Sequence, residues 1–244
     1  MLGGLADSVP AQFDKDLFVV LQELDSKVID VIARSKRGGT YDAGLILNSR
    51  PQMVAALRSS GYNEVVENYL AEYEKVPGLV AEAFKARKLP APKFTTASVE
   101  TFKQLATADL ETFNIIGAKA MDDLRLGLYR QSLSSQPFSA IVKSIKAATV
   151  GTAKNGSPLA NYAKTHANTA FQSFGGEAAR VAGESLGAEK WEVVGVLDSV
   201  TRQECADALA NPIRTTAEWQ AVGYFGGAPG GWNCRHILYP VLDD

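Results

Sequence analysis

The chain has 244 residues, 46% of them hydrophobic and 21% charged, and its 25 basic and 27 acidic side chains leave a formal charge of -2. That balance excludes wholesale coating of nucleic acid, which needs a surplus of Lys and Arg to displace counterions, while leaving room for a local basic patch. No stretch of about 18 or more uncharged apolar residues is present to span a membrane, and Met1–Ala6 lacks the basic flank of a secretory signal.

Two cysteines, Cys205 and Cys234, cannot build a disulfide framework and lie too far apart for a CxxC pattern. A cytosolic origin is expected. A chain of this length can bury a core without staples, as one large domain or two small ones.

From Phe13, the residues Leu17, Val20, Leu21, Leu24, Val28, Val31 and Ile32 recur at helical spacing, which predicts a helix ending near Arg34. Gly38-Gly39 breaks it. A second helical region covers roughly residues 43–88, divided by Pro51, Gly61 and Pro77-Gly78. The basic, proline-punctuated Lys85–Lys93 stretch reads as an extended connector, or as a contact to DNA or an acidic partner.

Ser98 is a candidate cap for a long helix reaching about Tyr129, with Gly117 and Gly127 as weak points. Another helix carries Phe138, Ile141, Val142 and Ile145, with Lys143 and Lys146 on its basic face, and Gly151–Pro158 is a polar break. An Ala-rich helix then spans about Leu159–Leu186, anchored by Phe171 and Phe174, and Gly175-Gly176 is a candidate bend.

The pattern changes at Lys190. Trp191–Leu197 is β-branched and reads as a strand. Thr201-x-x-Glu204 has capping-box spacing and predicts a short helix through Leu209. Thr215–Trp219 starts a helical turn, Gly226–Gly231 is a glycine loop, and His236–Val241 is a second strand, at an edge because of Pro240.

The fold class expected is therefore mainly α. Residues 1–92 form an N-terminal helical arm or bundle, 93–188 a long-helix region, and 189–244 a small α+β module with a short antiparallel sheet.

Chemistry concentrates in that last region, at Asp198, Arg202, Cys205, Cys234, Arg235 and His236. If the two strands pair antiparallel, these residues converge. Cys205, Cys234, His236 and Asp198 would make a four-coordinate zinc set, and Cys234 and His236 can share a strand face. A Cys205–Cys234 disulfide is a second option, reduced in the cytosol and able to form later in an extracellular particle. Two free, buried cysteines are a third. A Cys234 nucleophile with His236 as base and Asp198 as orienting acid is a fourth. His166, on the Ala-rich helix, reads as structural. Walker-type, HExxH and GxSxG motifs are missing, and Gly223–Gly227 does not link a strand to a helix as a dinucleotide loop would.

The order Trp191, Asp198, Arg202, Cys205, then Asn233-Cys234-Arg235 before a short apolar strand resembles the Mu F-like minor head proteins of tailed bacteriophages, also called head morphogenesis proteins. The resemblance covers roughly the last half of the chain. The family commonly has His-Pro-Asn-Cys-Arg-Cys near its end. Here the segment is Gly231-Trp232-Asn233-Cys234-Arg235-His236, and Arg202 stands where a second upstream cysteine can fall.

The resemblance implies a virion protein in few copies, not an enzyme. It would sit in the capsid interior or at the portal vertex, with the portal or major capsid protein and packaged DNA as partners and no membrane. It would act in capsid assembly, packaging or DNA delivery. No toxin or enzyme domain is expected after Asp244. The motif residues would be structural, with Trp191 and Trp232 as core anchors and Asp198 paired with Arg202 or Arg235. The basic stretches Lys85–Lys93 and Lys143–Lys154 would face DNA. The competing readings are a small metal-dependent nuclease or hydrolase built on Asp198, Cys234 and His236, and a DNA-binding accessory protein.

Overall fold

The computed structural model describes residues 2–37, 40–134, 136–152, 155–225, 230–232 and 234–242, and for residues 2–7, 37 and 40 it describes the backbone alone. In chain order the elements are α1 (Leu2–Ala33), β1 (Lys36–Arg37), β2 (Thr40–Tyr41), α2 (Ala43–Leu47), α3 (Arg50–Ser59) and α4 (Tyr62–Ala71). A 3-10 turn (Glu72–Lys75) leads to α5 (Val76–Ala86), α6 (Thr96–Leu133), α7 (Phe138–Thr149) and α8 (Pro158–Glu184). The C-terminal part holds β3 (Lys190–Val194), α9 (Gln203–Ala210), β4 (Ile213–Thr215), α10 (Thr216–Ala221) and β5 (Ile237–Val241). The protein is mainly α, with a small antiparallel sheet near its C-terminal end.

The chain forms two units, each assembled from separate segments. One comprises Gln12–Asn68 and Leu110–Lys164. Its core holds the stripe Phe13, Leu17, Leu21, Leu24, Val28 and Ile32, all buried, as the periodicity predicts. Phe13 packs on Phe113 with ring centroids 5.3 Å apart, and the buried Tyr62 hydroxyl donates to the Phe113 carbonyl at 2.9 Å. Gly117 does not break α6. A Cβ there would stand 2.8 Å from Leu57 Cδ2 and 3.0 Å from Tyr62 Cε1, so its missing side chain is what lets these helices close together. Between α6, α7 and the start of α8 lies an apolar groove of about 470 Å³, lined by Ile116, Leu124, Leu128, Leu159 and Tyr162 among others.

The second unit comprises Met1–Ala11, Tyr69–Asp109 and Thr165–Asp244. Its helical part is aromatic: Tyr73 packs on Phe174 at 4.2 Å and Phe102 on Phe174 at 5.3 Å. The cap of α6 falls to Thr95, whose hydroxyl accepts from the Ser98 amide at 3.2 Å, and Ser98 lies inside the helix. The basic connector begins late, since Lys85 and Ala86 still belong to α5. Lys88 follows with φ of 62°, in the left-handed region.

The sheet of this unit has the order β4-β3-β5, antiparallel throughout. Trp191 sits opposite Arg214 on one side and Pro240 on the other. β5 is an edge strand, where a proline costs no ladder bond that another strand needs. β3 ends at Val194 rather than at Leu197, because pairing with β5 stops at Val194–Ile237.

A buried cluster of Trp191, Val193, Ala208, Trp219, Tyr224 and Leu238 holds the sheet to α9 and α10. α8 packs against the sheet through Gly183. A Cβ at 183 would fall 2.7 Å from Trp191 Cζ3 and 2.9 Å from Pro240 Cβ.

Further sequence expectations are corrected in this module. The capping box is not at Thr201: α9 starts from Arg202 without a side-chain cap bond, because the Thr201 hydroxyl is spent on Asp198 and the Val196 carbonyl. The capping box is instead Thr215–Glu218, opening α10. β4 was not anticipated. Finally, Trp219 is a core anchor and Trp232, 60% exposed, is not.

Candidate functional site

The β3–β5 register decides what meets at the end of the sheet. Beyond the last pair, Val194–Ile237, the chain continues as Gly195 on one side and His236 on the other. Position 195 must be glycine, since a Cβ there would stand 2.8 Å from His236 Cγ and 2.9 Å from its Nε2. The buried imidazole therefore lies close against the Gly195 backbone.

His236 Nε2 is 3.2 Å from the Val196 carbonyl. A carbonyl only accepts, so Nε2 carries the proton and Nδ1 keeps its lone pair. Nδ1 faces the Cys234 sulfur at 3.5 Å. Cys205, in the first turn of α9, completes the group. The three donor atoms of Cys205, Cys234 and His236 lie within 4.8 Å of one another, and all three residues are buried.

Each sulfur has a further contact. The Gly230 amide donates to Cys234 Sγ at 3.0 Å, and the Tyr224 hydroxyl donates to Cys205 Sγ at 3.4 Å. A Cβ on Gly230 would come 2.5 Å from Cys205 Sγ and 3.0 Å from Cys234 Sγ, so bare backbone closes over both.

Two arginines lock the same corner from outside. Arg235 grips Asp198 through both terminal guanidinium nitrogens, each 2.8 Å from a carboxylate oxygen. Asp198 also accepts from the Thr201 hydroxyl at 3.0 Å and the Val200 amide at 3.1 Å. Chiefly through the Arg235 hydrogen bonds, its carboxyl is held well below the usual carboxylate range. Arg202 reaches across to the carbonyls of Gly230 and Trp232. Of the two pairings open to Asp198, the structure uses Arg235.

Asp198 is not part of the group formed by Cys205, Cys234 and His236, and its oxygens are engaged by Arg235, Thr201 and Val200. Nor does it orient His236, whose Nε2 proton goes to Val196. Burial pushes the Cys234 thiol up and the His236 imidazole down, so both stay neutral near pH 7. A thiol nucleophile needs the opposite arrangement, a thiolate beside an imidazolium. The two cysteines are free thiols. Trp232 contributes its carbonyl to Arg202, and its ring lies 6.4 Å from that of His166. Asn233 lies outside the described residues, as do Gly226–Pro229 of the glycine loop.

A second polar network in this unit had no signature in the sequence. The Tyr73 hydroxyl donates to Asp109 at 2.8 Å, the Tyr69 hydroxyl to the Ala167 carbonyl at 2.6 Å, and His166 Nε2 lies 3.5 Å from Asp109. Burial raises the Asp109 carboxyl and lowers the His166 imidazole, each partly opposed by the other. Its members come from α4, the 3-10 turn, α6 and α8, so no local spacing announces it.

Of the basic stretch, Arg87 pairs with Glu192 at 2.7 Å and lies over the Tyr239 ring at 4.4 Å, which commits it to the sheet. Lys143 and Lys146 are exposed, and Lys154 is outside the described residues.

No protein-family model matches this chain, and no curated protein or solved structure matches it.

Proposed function

We propose that the protein is a minor head component of a tailed bacteriophage, a structural virion protein acting with the portal or major capsid protein in capsid assembly, packaging or DNA delivery. The observation that carries the reading is the closure of the two motif halves on each other. Asp198, Arg202 and Cys205 come from one segment, Cys234 and Arg235 from another, and each half is bonded to the other rather than turned toward a substrate. A motif used in this way preserves a fold, as expected for an assembly module.

Two further features support it. Val196, Leu197 and Val200 are exposed beside the clasp, and Phe18, Val19 and Ile115 are exposed in the other unit, as docking surfaces require. No helix among the described residues is long and apolar enough to cross a membrane.

Co-expression with the portal and major capsid proteins of its phage tests the reading. The chain should co-purify with portal rings or procapsids. Recovery only as a free protein, with normal particles formed without it, overturns it.

A further inference from the structure

We infer that Cys205, Cys234 and His236 bind a single zinc ion that staples α9 to the start of β5. The inference stands apart from the phage reading and from the four-ligand set that includes Asp198.

The geometry is already close to that of a bound site. Zinc holds thiolate sulfur at about 2.3 Å and imidazole nitrogen at about 2.0–2.1 Å, which puts tetrahedral ligands about 3.3–3.8 Å apart. Cys234 Sγ and His236 Nδ1 stand at 3.5 Å, and Cys205 Sγ lies within 4.8 Å of both. A small side-chain rotation at Cys205 closes the set.

The surroundings are those of a ligand set too. His236 is held in the tautomer that points a lone pair at the Cys234 sulfur, with its other nitrogen bonded to a backbone carbonyl, the outer contact that orients metal-binding histidines. The Gly230 amide and the Tyr224 hydroxyl aim donors at the sulfurs, which suits thiolates. Gly195 and Gly230 clear the space, the first for the ring and the second for the sulfurs.

Charge and softness select the ion. Two thiolates and one neutral imidazole balance a dication, so a buried site gains no net charge. Sulfur and nitrogen donors favour zinc over magnesium or calcium. Binding releases the two thiol protons to solvent. Asp198 is held by Arg235, so among the described residues the protein supplies three of the ligands.

The test uses the untagged full chain. Elemental analysis after expression in zinc-supplemented medium should find about one zinc per chain. Cobalt(II) added to the metal-free wild-type protein should give thiolate-to-cobalt charge-transfer absorption and the intense visible bands of a tetrahedral site. A chelator should lower the Tm of the zinc form. Cys205→Ser and Cys234→Ser should abolish the cobalt spectrum, whereas Asp198→Asn should keep it.

Absence of the cobalt spectrum in folded wild-type protein overturns the proposal without depending on any variant. So does a Cys205–Cys234 disulfide found in protein purified without reductant, or metal retained in both serine variants.

Discussion

The same substitution at two helical glycines should have opposite signs. In a helix interior, Gly→Ala stabilises by about 0.8–1 kcal/mol through backbone entropy. At Gly127 of α6 nothing lies within 4 Å of the added Cβ, so Gly127→Ala should show that full benefit. At Gly183 of α8 the added methyl would meet Trp191 Cζ3 at 2.7 Å and Pro240 Cβ at 2.9 Å, well inside carbon contact distance. Both neighbours are rigid rings anchored in the sheet, so neither can swing away. Overpacking of this kind costs about 1–3 kcal/mol. Because neither ring can yield, the upper part of that range, about 2–3 kcal/mol, applies, and subtracting the helix benefit leaves Gly183→Ala destabilised by about 1–2 kcal/mol, or several degrees in Tm at about 2–4 °C per kcal/mol for a chain this size.

Urea denaturation separates the two effects. The chain has three tryptophans, Trp191, Trp219 and Trp232, all in the unit that holds Gly183. Tryptophan fluorescence therefore follows that unit, and far-UV circular dichroism follows both. The fluorescence midpoint should fall for Gly183→Ala, and the dichroism transition should move up for Gly127→Ala. A Gly183→Ala midpoint at or above wild type would refute the close helix–sheet contact.

Three further outcomes follow from the same geometry. Trp219→Phe removes the indole donor that meets the Trp191 carbonyl at 2.9 Å and should cost about 1–2 kcal/mol; an unchanged urea midpoint would remove Trp219 from the core account. The folded-state pKa of Asp198 is depressed, so its contribution to stability is complete above the unfolded carboxylate value of about 3.9 and is lost as pH falls below it. Asp198→Asn should then flatten the midpoint-versus-pH curve on the acid side, and an unaltered curve would show that the Arg235 pair does not couple to folding. Burial lowers the His166 imidazole, so its contribution is complete above the unfolded value of about 6.5 and declines as pH drops through it. His166→Gln should lessen the loss of stability between about pH 7 and pH 5, and an identical loss in both proteins would contradict a neutral, buried His166.

Periodic features were legible in the sequence because one chain segment contains all the information they need. The stripe from Phe13 to Ile32 is one helix face, and Trp191–Val194 and Ile237–Val241 are short strands with apolar residues that pair as expected. What was not legible depends on partners distant in the chain. Thr201-x-x-Glu204 and Thr215-x-x-Glu218 carry the same spacing, but only the second forms a capping box, because Asp198 and Val196 claim the Thr201 hydroxyl. Trp219 and Trp232 are equally hydrophobic as residue types. One is buried by the stacking of Tyr224 at 5.4 Å, while the other lies in a turn that Arg202 holds by its backbone.

Gly117 reads as a weak point of its helix and is instead, like Gly183, a place of closest approach, visible only once Tyr62 and Trp191 are in position. Cys234 and His236 announced themselves by alternation along a strand. Cys205 joins them because the β3–β5 register brings the start of α9 to the same corner.

The most direct test of the central claim is to locate the chain in assembled particles. Heads purified from cells that express the phage's structural proteins should contain it at few copies relative to the major capsid protein, at the portal vertex or inside the shell. Its recovery in those heads should fall when Arg235→Ala opens the clasp. Heads that contain none of the chain, and whose yield and DNA content are unchanged when its coding sequence is deleted, would contradict the account.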